Sequence, residues 1–158
     1  MTIEEKKKLF CENLNMLNKN LDWLLKSYKK VENIDFSKED LTEEDLEVLE
    51  TLSNRFGRSV VILINRVLRS LDLLEMEDIS RKLDVVIRAE KRGFVEDYKI
   101  LIEMKDLRNE LSHEYIQENL IEKFKEVIEN VPKLVKIIEK INLYAKKMQY
   151  CKQNEQSR

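Results

Sequence analysis

Apolar residues recur along this chain at intervals of three, four and seven, the spacing that lines them up on one face of an α-helix. From residue 3 to about 31, Leu9, Phe10, Leu14, Leu17, Leu21, Leu24, Leu25 and Tyr28 form one stripe, with Lys6, Glu12, Lys19 and Lys26 off it. Thr2 ahead of Glu4 and Glu5 predicts the N-cap. Trp23 falls off the stripe and is expected to cover a neighbouring helix or an oligomer surface. Residues 32 to 42 are polar and aperiodic, which predicts a loop. Thr42, followed by Glu43, Glu44 and Asp45, then opens a second helix running to about Leu74 on Leu46, Leu49, Leu52, Phe56, Val60, Leu63, Ile64, Val67, Leu68 and Leu71.

Gly57 lies inside that helix, where it costs about 1 kcal/mol relative to alanine. A close helix–helix approach accounts for it better than contact with a ligand. A shorter third helix, capped by Asp78 or Ser80, carries Ile79, Leu83, Val86 and Ile87 and ends near Gly93. The fourth spans about 94 to 112 and the fifth about 118 to 149. Pro132 in the fifth lacks an N–H and crowds the preceding turn, so a kink or a new segment is expected there. Four long amphipathic helices and one short one predict an all-α antiparallel helical bundle. It forms a single domain over residues 1–149, with a polar tail at 150–158. No internal repeat or low-complexity tract interrupts it.

Composition agrees with the periodicity. Two glycines and one proline in 158 residues are too few for the turns of an all-β or α/β fold. A hydrophobic content of 42% beside 38% charged residues supports one core behind a solvated surface. The net charge of −2 gives no overall basic footprint, so a nucleic-acid partner would have to meet a local patch. Residues 55 to 92 are such a candidate: Arg55, Arg58, Arg66, Arg69, Arg81, Lys82, Arg88, Lys91 and Arg92 stand against six carboxylates. A solvated face with paired charges is the commoner meaning of such a run. Cys11 and Cys151 lie near opposite ends without CxxC spacing, a pattern that predicts neither a disulfide framework nor a zinc site and suits a reducing cytoplasm. The opening residues lack the apolar core of a signal peptide, and no apolar run approaches the ~18 residues a membrane span needs.

The candidate chemistry is concentrated in Arg108-Asn109-Glu110-Leu111-Ser112-His113-Glu114-Tyr115, which holds the chain's single histidine. A break at 115–119 is expected to place the cluster at the end of the fourth helix. Asn109 and His113 are four apart and share a helical face, while Glu110 falls on another side and is expected to be solvated. Arg108 and His113 stand about 140° apart around an ideal helix. A long arginine can still converge on the imidazole if the helix ends near Ser112. A guanidinium offers a planar fork to phosphoryl oxygens, and an imidazole exchanges a proton near neutral pH. Attack of a ribose 2′-hydroxyl on its own phosphodiester needs a base, an acid and a positive charge, and no metal. One histidine cannot readily serve as both acid and base, so a two-fold dimer bringing two copies of His113 into one cleft is expected if the chain cleaves RNA. A histidine near a helix end is also a common C-cap or dipole partner. No phosphate-cradling glycine loop, HExxH, Asp-rich metal loop or serine triad competes with this cluster.

Arg108, the four residues 109–112, His113, Glu114 and Tyr115 match the Arg-x4-His-x-Tyr motif, and the stretch resembles HEPN-domain toxins of the HepT type. The polar Asn109 directly after the arginine, the aliphatic helix leading into Leu107 and the late helix containing Asn130-Val131-Pro132-Lys133-Leu134 agree with it. The resemblance implies a cytoplasmic, metal-independent endoribonuclease that works as a homodimer, without a cofactor, on an RNA substrate. It implies that Arg108 binds and stabilises the phosphate, that His113 transfers protons, and that Asn109 orients the histidine or the RNA. It further implies an MNT-type nucleotidyltransferase antitoxin as partner, attaching AMP units to Tyr115, whose added phosphate charge would occupy Arg108 and repel RNA. Two rivals stand beside it. One is a non-catalytic HEPN-like docking module that binds a nucleotidyltransferase; the other is a helical adaptor in which Arg108 and His113 are structural.

Overall fold

Two threonines start the two helices that frame the molecule. The Thr2 hydroxyl accepts from the Glu5 amide while the Glu5 carboxylate accepts from the Thr2 amide, and Thr42 and Asp45 repeat the arrangement. In the computed structural model, which describes residues 1–37, 40–112 and 117–152, these caps open α1 (Ile3–Lys30) and α2 (Glu43–Ile62). α2 continues through a π-helical turn, Leu63–Leu68, into α3 (Arg69–Leu74), so the second predicted helix is one rod with a widened middle. α4 (Lys82–Lys91), α5 (Lys99–Ser112) and α6 (Gln117–Lys147) complete the chain. The fold is an all-α helical bundle, and no strand occurs among the described residues.

Cross-links between helices fix their directions. Asn13 near the start of α1 donates to the Ser70 hydroxyl in α3, whereas Ser27 near its end accepts from Arg55 in α2. α1 therefore runs antiparallel to the α2–α3 rod. α1 and α6 are antiparallel too, joined by the reciprocal amide pair Asn18–Asn142 and, beyond the end of α6, by Cys11 and Cys151. Phe10, Leu17, Leu24, Leu49, Leu52, Phe56, Leu63, Leu68, Leu101 and Phe124 are fully enclosed where these faces meet.

Several expectations need correction. Cys11 and Cys151 form a disulfide with their Cα atoms 5.6 Å apart across a separation of 140 residues. Spacing along the chain hid the pair because antiparallel α1 and α6 bring distant positions together. Asp78 accepts from the Ser80 amide, but neither caps α4, which starts at Lys82 behind Arg81 without a side-chain cap. Phe94 and Val95 are buried in the connection before α5, which begins at Lys99 rather than at 94. Residues 117–119, expected within a break, are the first turn of α6. Pro132 starts no new segment: it is an exposed residue inside a continuous α6, so the Ile128 carbonyl that its missing N–H leaves without a helical partner lies near solvent. Trp23 meets the neighbouring α2 only through Arg55. It is 52% exposed, with the Arg55 guanidinium 5.1 Å and the Lys26 ammonium 4.8 Å from its ring centroid. Of the expected tail at 150–158, Tyr150 and Cys151 are packed against the bundle, by the Glu75 hydrogen bond and the disulfide, and residues 153–158 lie outside the described residues.

Candidate functional site: a groove at the end of α5

Gly57 on α2 sits where a Cβ would meet the Arg108 Cγ at 2.9 Å. The glycine is thus the seat of the arginine's aliphatic stem, and α5 approaches α2 closely through that side chain. From this contact opens a groove of about 330 Å³. One wall is Ser53, Gly57 and Val61, spaced four apart on α2, with Asn54 and Arg58 on the adjoining row. The other wall is Arg108, Leu111 and Ser112 on the last turns of α5.

The charge of this groove differs from that of the chain. Arg58 and Arg108 both line it, both are exposed, and among the described residues no carboxylate lines it. Neither arginine has an ion pair with any described residue. The hydroxyl of Ser53, a residue only 7% exposed, has no hydrogen-bond partner among the described residues. Two guanidinium groups without ion pairs and an amide side chain are a donor set for an oxyanion.

Arg108 Nη1 donates to the Asn109 Oδ1 at 3.2 Å. Asn109 itself lines a second cleft, of about 630 Å³, between α5, α4 and the π-helical turn, together with Asn65, Arg69, Lys82 and Lys105. The two motif residues therefore face different clefts and are tied by one hydrogen bond. Glu110 is exposed, as expected, and accepts from Lys123 of α6 at 2.6 Å, bracing α5 and α6 on either side of the motif. His113 and Tyr115 lie outside the described residues. Ser53 and Asn54 were missing from the sequence-based candidates, and Arg58 was named only as one cation of the basic run at 55–92. The available signal was the helical Gly57 flanked by Asn54 and Arg58 at i, i+4 spacing.

The expected basic run at 55–92 divides on folding. Asp72 is fully buried at the heart of the molecule, and accepts from Arg88 at 3.1 Å and Arg92 at 2.7 Å. Arg92 also pairs with Glu75 at 3.0 Å, whose other oxygen accepts from the Tyr144 and Tyr150 hydroxyls at 2.6 and 2.7 Å. Burial pushes the Glu75 carboxyl up, but the two phenols and Arg92 outweigh it and hold the group below the ordinary glutamate value. Burial and the Glu75 charge push both phenols up. Arg81 pairs with Asp84, and Arg55 is held by Ser27 and the Trp23 carbonyl. Of the nine cations, the free ones include Arg58 in the groove and Arg69 in the second cleft.

Among the described residues, no three of His, Cys, Asp and Glu group as metal ligands, and no helix is long and apolar enough to cross a membrane. Comparison with known proteins finds no matching family model, no matching curated protein and no matching solved structure.

Proposed function

We propose that the chain is a metal-independent endoribonuclease of the HEPN type, the toxin of a HEPN/MNT toxin–antitoxin pair, acting as a cytoplasmic homodimer. What supports this most is the setting of Arg108: a guanidinium without an ion pair in a groove that no described carboxylate lines, on a helix whose last described residue, Ser112, precedes the chain's one histidine in sequence. In this reading Arg108 holds the scissile phosphate and offsets charge on the phosphorane. His113 takes the 2′-hydroxyl proton, and the partner copy's histidine protonates the departing 5′-oxygen. Asn109 steadies the guanidinium through the bond already in place. An AMP group on Tyr115 would bring competing phosphate charge to Arg108 and silence the site.

The test is RNA cleavage by the purified chain and by His113→Ala, in EDTA, after intact mass has shown Tyr115 unmodified. Parent activity that survives EDTA, vanishes in the variant and leaves 2′,3′-cyclic phosphate ends is the expected result. EDTA-sensitive cleavage, or equal cleavage by the variant, overturns the mechanism. An unmodified dimer that cuts no RNA moves the assignment to a docking module for a nucleotidyltransferase.

A further inference from the structure

The ribonuclease reading uses one arginine of the groove and leaves the α2 wall without a role. That wall carries the features of a built site. Arg58 is a cation without an ion pair to any described residue, and Asn54 precedes it by one helical turn. Two like charges sharing a groove repel until an anion enters it. Among the described residues, no glutamate or aspartate lines this groove.

We infer that Asn54 and Arg58 form a second phosphate subsite, binding the phosphodiester next to the one held by Arg108. The substrate class follows from the ribonuclease reading, on which this inference rests: a single-stranded ribonucleotide whose backbone runs along the groove. Arg58 acts in binding alone, taking no part in proton transfer.

The probe is a fluorescent 2′-O-methyl oligoribonucleotide, which lacks the attacking hydroxyl and cannot be cut. Its binding to the full chain is followed by anisotropy across a salt series, beside cleavage of the unmodified RNA. Arg58→Ala is expected to weaken binding about tenfold and to lower the salt slope by about 0.7. It should raise KM for cleavage far more than it lowers kcat. Lys8→Ala, which removes the same charge from a separate groove between α1 and the end of α6, is the control and should change binding little. Unaltered melting of Arg58→Ala, whose side chain is exposed, verifies its fold. Equal binding by the parent and Arg58→Ala, or an equal loss in Lys8→Ala, overturns the subsite even where cleavage is intact. Arg58-dependent binding by a chain that cuts no RNA upholds the subsite and overturns the ribonuclease reading. Absence of binding by the parent at low salt overturns the subsite outright.

Discussion

At Gly57, helix propensity and the Arg108 seat pull in opposite directions. Alanine is favoured in a helix by about 1 kcal/mol, but its methyl group would lie 2.9 Å from the Arg108 Cγ, and a mid-chain carbon cannot move without the guanidinium moving too. Gly57→Ala is therefore expected to leave the melting temperature nearly unchanged while lowering cleavage by roughly tenfold to a hundredfold, the usual cost of a misplaced catalytic group. In an Arg108→Ala background the obstacle is gone, since the Arg108 Cβ stands at an ordinary 3.8 Å. There the same substitution should stabilise the protein by about 1 kcal/mol in urea unfolding. Equal cleavage by Gly57→Ala and parent would show that the glycine does not set the arginine's position. The sequence carried half of this relation: a costly glycine predicts a close approach. That the approaching group is Arg108 required the fold.

At the scale of elements, the Asp72–Glu75 network ties α3, α4 and the end of α6 together through charge-assisted bonds. Because the Glu75 carboxyl is held below its ordinary value, its contribution is complete above the unfolded pKa of about 4.3. It is lost as pH falls through the lower folded value. The raised phenols of Tyr144 and Tyr150 impose the opposite limit, with stability declining as pH rises past about 10. Glu75→Gln is expected to cost about 1–2 kcal/mol at pH 7 and to flatten the acid limb of stability against pH between about 5 and 3. A variant whose acid limb matches the parent's would show that Glu75 does not govern that limb.

Helix ends show why element boundaries were only partly legible. α4, α6 and α3 all end in paired backbone bonds closed by a residue of positive φ. At the end of α4 that residue is Gly93, whose composition announces it. At the other two it is Met76, φ 65°, and Gln149, φ 58°, residue types that carry no such signal. The Phe94 amide bonds back to the Ala89 carbonyl at 3.0 Å and the Tyr150 amide to Ala145 at 3.0 Å, each burying an aromatic ring beside the turn. An apolar run at 94–102 therefore reads as helix although its first residues belong to a cap and a connection.

Across the whole molecule, the disulfide closes a loop of 140 residues and fastens the end of α6 onto α1. A cross-link of that span is worth up to about 5 kcal/mol by chain entropy alone. Cys151→Ser is expected to lower the urea midpoint substantially in non-reducing buffer, and to match the parent once both are in dithiothreitol. Thiol titration of the unfolded parent checks the premise: two free thiols before reduction would remove the cross-link from the account. In a reducing compartment the pair would stand as two neighbouring thiols, with the core still holding α1 and α6 together.

The sequence by itself determined the helices, because the 3.6-residue repeat of apolar positions is a local property and threonine caps act within one turn. It also determined the all-α class and the motif at 108–115, because a cluster of adjacent residues is visible without a fold. Tertiary structure alone decided which cations are spent on buried carboxylates and which stay free, since pairing across helices depends on distance in space. It decided that Cys11 meets Cys151, that Glu110 meets Lys123, and that Arg58 shares a groove with Arg108. Each of those contacts joins residues whose separation along the chain carries no trace of their proximity.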